Sequence, residues 1–225
     1  LVLKAADSVG HHGGHGLPDL RRELLRKLGR GQEALESAWA EYVKHPACHT
    51  YKTLMAQVAK PERADWHRKA MEAAEGGDLS FVIELWLSTK EIDRLLARLQ
   101  GTSDAELEDL SHYCTEPAAK RLAKDHPDVA ARLYRALGMR ILAAGKSKYY
   151  DVALSHFGQA RKCHVQAGLE GPWDALVEHV RGAHHRKHGF MAGFEDLVLG
   201  ARKRPEPSFL ERARRRWPGG KDANG

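Results

Sequence analysis

Cysteine is scarce in this chain, and the three present, Cys48, Cys114 and Cys163, are odd in number and far apart. That excludes a disulfide framework, fits a reducing compartment and predicts a cytoplasmic protein whose thiols serve as small apolar groups. Long hydrophobic runs are missing too. No segment approaches the roughly 20 apolar residues of a membrane-spanning helix, so no membrane association is expected. The opening residues show no signal-peptide pattern. Period-two alternation, the mark of half-buried strands, is nearly absent. There is no G-x-S-x-G elbow, no H-E-x-x-H pair and no Cys–His catalytic signature, so no enzyme and no catalytic residue is expected. Spacing alone leaves open a catalytic site assembled from distant residues.

The charge is unevenly placed. The chain carries a formal +6, and residues 181–225 hold 11 Lys and Arg against 5 Asp and Glu, which accounts for all of it. The first 180 residues carry 25 of each sign and balance to zero. The first residue is Leu, and LVLKAAD already reads as helix, so the chain is expected to be a fragment of a longer protein.

What abounds is helix punctuation. Pro18 opens a helix through Leu24 and Leu28, and Gly31 starts a second with Ala34, Leu35, Ala38, Trp39 and Tyr42 inward. Pro61 and Gly76-Gly77 bound the next, and Asp78 can cap the apolar run LSFVIELWL. That run could be a buried strand or a central helix; its helical neighbours favour helix. Ser88 with Glu91, and Ser103 with Glu106, have capping-box spacing. Thr115 and Pro117 begin another helix, and His126-Pro127 launches a long one that Gly145 ends. Ser147 starts its partner, which runs to Gly168, and further helices follow Pro172 and Gly189. A basic helix is expected over Pro205 to Arg216, with a disordered tail beyond Trp217. The fold class is therefore all-α with about a dozen helices, residues 1–200 forming a helical-repeat domain and 201–225 the basic end.

Within this pattern Tyr134, Leu137, Gly138 and Ile141, followed by Ala153, Phe157 and Ala160, fit the tetratricopeptide (TPR) spacing of bulky and small residues. Ala34, Ala38 and Pro46 form a half-match, with Tyr51 and Leu54 opening the next unit. Met55 stands where Gly is usual and Glu41 where Ala is, and the Gly138-to-Ala153 gap is longer than the norm. The array is thus a degenerate α-solenoid of TPR-like antiparallel pairs, each stacking on its neighbours to bury its apolar face.

Three stretches resemble the helical-repeat region of bacterial proteins carrying a SWIM-type zinc finger: LRRELLRKLGRGQEALESAWAEYVKHPACHTYKTL, HPDVAARLYRALGMRILAAGKSKYYDVALSHFGQARK and WDALVEHVRGAHHRKHGF. The resemblance covers much of Leu20 to Phe190 and implies an α-solenoid with a regulatory or interaction role. The finger itself needs C-x-C followed by C-x-H, and the chain has neither; Cys163 and His164 are adjacent. No zinc site carries over, and no cofactor is expected.

Other motifs have plainer readings. AGKS at Ala144 to Ser147 looks like the end of a phosphate-binding loop, but the preceding Gly138 is misplaced and helix lies between. His11, His12 and His15 sit in HHGGHG, a solvated loop, and His184 and His188 would share a face if HHRKH were helical. Arg186 and Lys187 beside them disfavour a metal cation. The acids of DAELEDL are expected to face solvent, since Ala105, Leu107 and Leu110 share the apolar side. Trp39, Tyr42, Tyr51, Trp86, Tyr134 and Phe157 are expected in the core, whereas Tyr149 and Tyr150, at a helix start, are placed for a groove.

The primary expectation is an interaction or scaffolding module that binds a protein or peptide along a helical-repeat surface. The alternative is nucleic-acid association through Arg186, Lys187, Arg202, Lys203, Arg204, Arg212, Arg215 and Arg216, which with Arg214 and Trp217 could track phosphates. The same residues also suit a solubilising tail.

Overall fold

A computed structural model describes residues 16–200. Among them the fold is all-α, with twelve α-helices and no strand. In chain order these are α1 (Gly16–Lys27), α2 (Gly31–Lys44), α3 (Cys48–Gln57), α4 (Arg63–Ala74), α5 (Leu79–Thr89) and α6 (Ile92–Gln100). They continue as α7 (Asp104–Asp109), α8 (His112–Leu122), α9 (Pro127–Ala144), α10 (Tyr150–Ala167), α11 (Glu170–His184) and α12 (His188–Val198). Short 3-10 turns at Lys60–Glu62 and Ser147–Tyr149 lead into α4 and α10. None of these helices is long and apolar enough to cross a membrane.

Several helix starts follow from local chemistry. Asp78 caps α5 by accepting from the Ser80 amide at 2.9 Å. Ser103 and Glu106 close a reciprocal capping box on α7, with the Ser103 amide donating to Glu106 at 2.9 Å and the Glu106 amide to the Ser103 hydroxyl at 3.3 Å. LSFVIELWL is helical, and Val82, Ile83, Leu85 and Trp86 are buried on it. Gly145 ends α9 with φ of +67°, a conformation that costs a side-chain-bearing residue about 1–2 kcal/mol.

Two expected starts are displaced. Ser88 does not cap α6; it lies in the last turn of α5, where its hydroxyl donates to the Leu85 carbonyl at 2.8 Å. The helix α8 begins at His112, not at Thr115, because the Ser111 hydroxyl accepts from the Tyr113 amide at 3.3 Å. Pro117 therefore sits inside α8. Lacking an amide hydrogen, it cannot serve the Tyr113 carbonyl as the helical ladder requires.

The helices bury two apolar clusters. The larger runs from α2 through α9 and includes Tyr42, Leu54, Met71, Trp86, Leu99, Leu133 and Tyr134, with Ala160 and Cys163 of α10. The smaller joins Met139 and Leu142 of α9 to Phe157, Trp173, Val180, Phe190 and Phe194. Thus α9 and α10 belong to both. They are antiparallel: Phe157 stands opposite Gly138, and farther along α10 Gln166 donates to the carbonyl of Lys124, just before α9. Cys163 is buried, and Cys48 and Cys114 are half-buried; all three are free thiols.

Polar ties hold the helices in register. Arg22, only 3% exposed, lies between Asp19 at 2.6 Å and Glu41 at 2.7 Å. Of the four acids of α7, Glu106 and Asp109 are exposed as expected, whereas Asp104 and Glu108 are tied to α9. Arg132 of α9 donates to the Leu99 and Thr102 carbonyls at 3.0 and 2.8 Å and pairs with Asp104 at 2.9 Å. Arg135 pairs with Glu108 at 2.8 Å, so these two α7 carboxylates partner a row of arginines one turn apart on α9.

Candidate functional site

The start of α8, the second half of α9 and the start of α10 enclose a groove of about 590 Å³. The helix α8 contributes His112, Tyr113 and Glu116; α9 contributes Leu137, Arg140, Ile141 and Ala144; Lys146, Tyr149, Val152 and His156 complete it. The longer-than-usual connection between α9 and α10 makes this possible. Its 3-10 turn ends at Tyr149, which lines the groove with Leu137 and Ile141.

The groove combines exposed apolar surface with positive charge. Tyr113 is 81% exposed, and Tyr149 and Val152 are exposed as well. Rings with a polar tip, open to solvent beside an apolar floor, are what binding surfaces favour. Arg140 donates to the Leu110 carbonyl at the end of α7 and has no ion-pair partner among the described residues. Lys146 is exposed and forms no ion pair among the described residues. Lys148 rests 4.8 Å over the Tyr149 ring. The acid of the groove, Glu116, is engaged by Lys120 at 2.7 Å, and that hydrogen bond holds its carboxyl below the usual range.

His156 forms part of the floor. It is 9% exposed, its ring stacks on Tyr134 at 6.3 Å, and neither nitrogen has a hydrogen-bond partner among the described residues. Burial lowers its basicity; Glu116 opposes that shift, and Lys120 and His112 add to it. The ring is accordingly neutral at pH 7 and offers one N–H donor and one acceptor to the groove.

A second polar constellation joins α3, α4 and the start of α6. The Tyr51 hydroxyl is 2.7 Å from His67 Nδ1, and His67 Nε2 is 2.9 Å from Glu91. A carboxylate can only accept, so Nε2 carries the proton and Nδ1 accepts from the phenol. The arrangement has the form of a relay, yet burial pushes the Tyr51 hydroxyl up, away from ionisation. It serves as a tie between three helices and explains where Glu91 goes once Ser88 is engaged elsewhere.

The repeat-signature residues converge on the α9–α10 contact. Tyr134, Leu137, Gly138, Ala153, Phe157 and Ala160 are buried there, and Ile141 is half-buried. Tyr149 lines the groove as expected, but Tyr150 turns inward and meets Phe190 edge-on at 5.7 Å. His184 and His188 do not share a helix face: one ends α11 and the other begins α12. Arg186 and Lys187 lie in the intervening turn, where Lys187 borders a shallow depression of about 410 Å³ with Ser147, Tyr150 and Asp151. Arg202, Lys203, Arg204, Arg212, Arg214, Arg215 and Arg216, like His11, His12 and His15, lie outside the described residues. No group of three or more metal-ligating side chains occurs among the described residues.

The spacing arguments overlooked His112, Tyr113, Glu116, Arg140, Lys146, Val152 and His156. They come from two helices and a connection that are remote in sequence, and no local motif links them.

No curated protein and no solved structure matches the chain. Residues 2–192 match a family of unknown function, DUF6880, and with most of its length inside that match the chain belongs to this family.

Proposed function

We propose that the chain is a non-enzymatic protein-interaction module, a degenerate TPR-like α-solenoid, that takes a protein or peptide partner in the groove between α8, α9 and α10. The observation that carries this reading is the exposure of Tyr113 and Tyr149 in a groove that Leu137, Ile141 and Val152 line together with Arg140 and Lys146. Large exposed rings beside cations that lack a carboxylate partner are the kind of combination that anchors partners. The groove is also built on the helix pair that bears the clearest repeat spacing, which suits recognition by a helical-repeat surface. The resemblance to the helical region of SWIM-type zinc-finger proteins supports an interaction role, and three free cysteines suit the cytoplasm.

The test is affinity capture with the purified chain against a Tyr113→Ala/Tyr149→Ala variant. A partner retained by the parent and lost by the variant supports the reading; equal recovery by both removes the groove from it.

A nucleic-acid role draws on one observation, that residues 181–225 account for the whole net positive charge. Gel mobility shifts with and without residues 201–225 address it. Equal binding by both forms takes the basic end out of consideration.

A further inference from the structure

The groove also carries information about the kind of partner. We propose that it receives an acidic peptide segment bearing a large apolar side chain, whose carboxylate is met by Arg140 and Lys146 and by a hydrogen bond from His156. This rests on the protein-binding reading above and deepens it.

Three features point the same way. Arg140 and Lys146 border the groove without a carboxylate partner among the described residues, while the lining acid, Glu116, is already held by Lys120. The charge offered to a ligand is therefore positive, and a basic segment would be repelled at the position where it docks. Leu137, Ile141 and Val152 line the groove together with the Tyr113 and Tyr149 rings, which suits a large apolar side chain. At the floor, the largely buried His156 makes no hydrogen bond to another described residue, and its ring nitrogens are not sealed from the surface, so they stay open to a ligand in the groove. His156 lines the same groove as these two cations, so a carboxylate that enters it meets uncompensated positive charge beside an imidazole donor.

The side chains concerned belong to both walls. Tyr113 stands on α8, Arg140 on α9, Lys146 in the connection and His156 on α10, so a single extended segment lying along the groove can touch every one.

The probe is a phage-displayed library of random dodecapeptides, panned on the purified chain. Selected sequences are then synthesised with a fluorophore and measured by anisotropy. Lys146→Glu and Tyr113→Ala are the test variants, both at exposed positions, and Arg186→Glu in the α11–α12 turn is the charge-matched control. Circular dichroism confirms that each is folded. The expected result is enrichment of net-negative peptides with a large apolar residue, and affinity weakened about tenfold by Lys146→Glu but less than about twofold by Arg186→Glu. Enrichment of neutral or basic peptides overturns the proposal, as does equal weakening by the two charge reversals. Acidic peptides that bind both test variants at parental affinity remove the groove and leave peptide binding standing. No enrichment at all removes both readings.

Discussion

Phe157 of α10 drives the outer edge of its ring against the backbone of α9 at Gly138, so closely that a methyl group there would lie 2.6 Å from Cζ. Phe157 is fully buried, with Phe190 and Phe194 meeting its ring edge-on at 5.9 and 5.5 Å, so it has nowhere to retreat. The pair sets the separation of the two helices that belong to both apolar clusters and wall the groove.

Gly138→Ala is therefore expected to destabilise the fold by about 1–3 kcal/mol through overpacking. Trimming the ring should relieve it, so Gly138→Ala in a Phe157→Leu background should cost less than it does alone. Urea denaturation of the two single variants and the double variant measures the coupling; simple additivity would mean that the contact does not set the helix separation.

Lys90 ends α5 with φ of +66°, the one non-glycine in the left-handed region among the described residues. Lys90→Gly removes the steric cost of that conformation and should stabilise the protein by up to about 1 kcal/mol. A thermal melt that fails to rise would show that the lysine side chain contributes compensating interactions.

Arg132 satisfies the carbonyls of Leu99 and Thr102 as well as Asp104. Arg132→Ala leaves both carbonyls without that donor and should cost about 1–3 kcal/mol. Asp104→Ala breaks a half-exposed pair and should cost less than about 1 kcal/mol. Chemical denaturation that reverses this order would identify the ion pair, rather than the carbonyl bonds, as the principal tie between α9 and the end of α6.

Acid sensitivity should come from histidine. His164, His156 and His184 all have their basicity lowered chiefly by burial, so the unfolded chain binds protons that the folded one refuses. For groups depressed in this way, stability is fully present above the unfolded value, about 6.5, and declines as pH falls below it. Glu23, Glu33, Glu106, Glu116 and Glu195, held down mainly by hydrogen bonds, keep their contribution until the carboxylate range is reached. Melting temperature should thus fall between pH 7.5 and pH 5.5, and His164→Phe should flatten that fall. An unchanged slope in the variant would place the sensitivity in the other two rings.

Much of the fold was legible because its signals are local. Asp78, the Ser103–Glu106 pair, Pro127, Gly145 and Gly168 mark boundaries through chemistry that acts within a turn, and the helical spacing assigns Leu35, Ala38 and Tyr42 to the interior. The errors arose where a local signal met a distant competitor. Ser88 had the spacing of a cap, but Glu91 is drawn to His67, far away in sequence. Asp104 and Glu108 of α7 looked solvated because their arginines lie on another helix. The groove was legible through Tyr149 alone. His156 looks like any other polar position of α10 until α8 and the α9 connection close around it.

The most direct test of the account is nuclear magnetic resonance mapping of a selected acidic peptide on the full chain. The expected result is concerted, saturable shifts at Tyr113, Arg140, Lys146, Tyr149 and Val152, together with the His156 ring protons. Saturable shifts that leave these signals in place and cluster instead at the Arg186–His188 turn would contradict it.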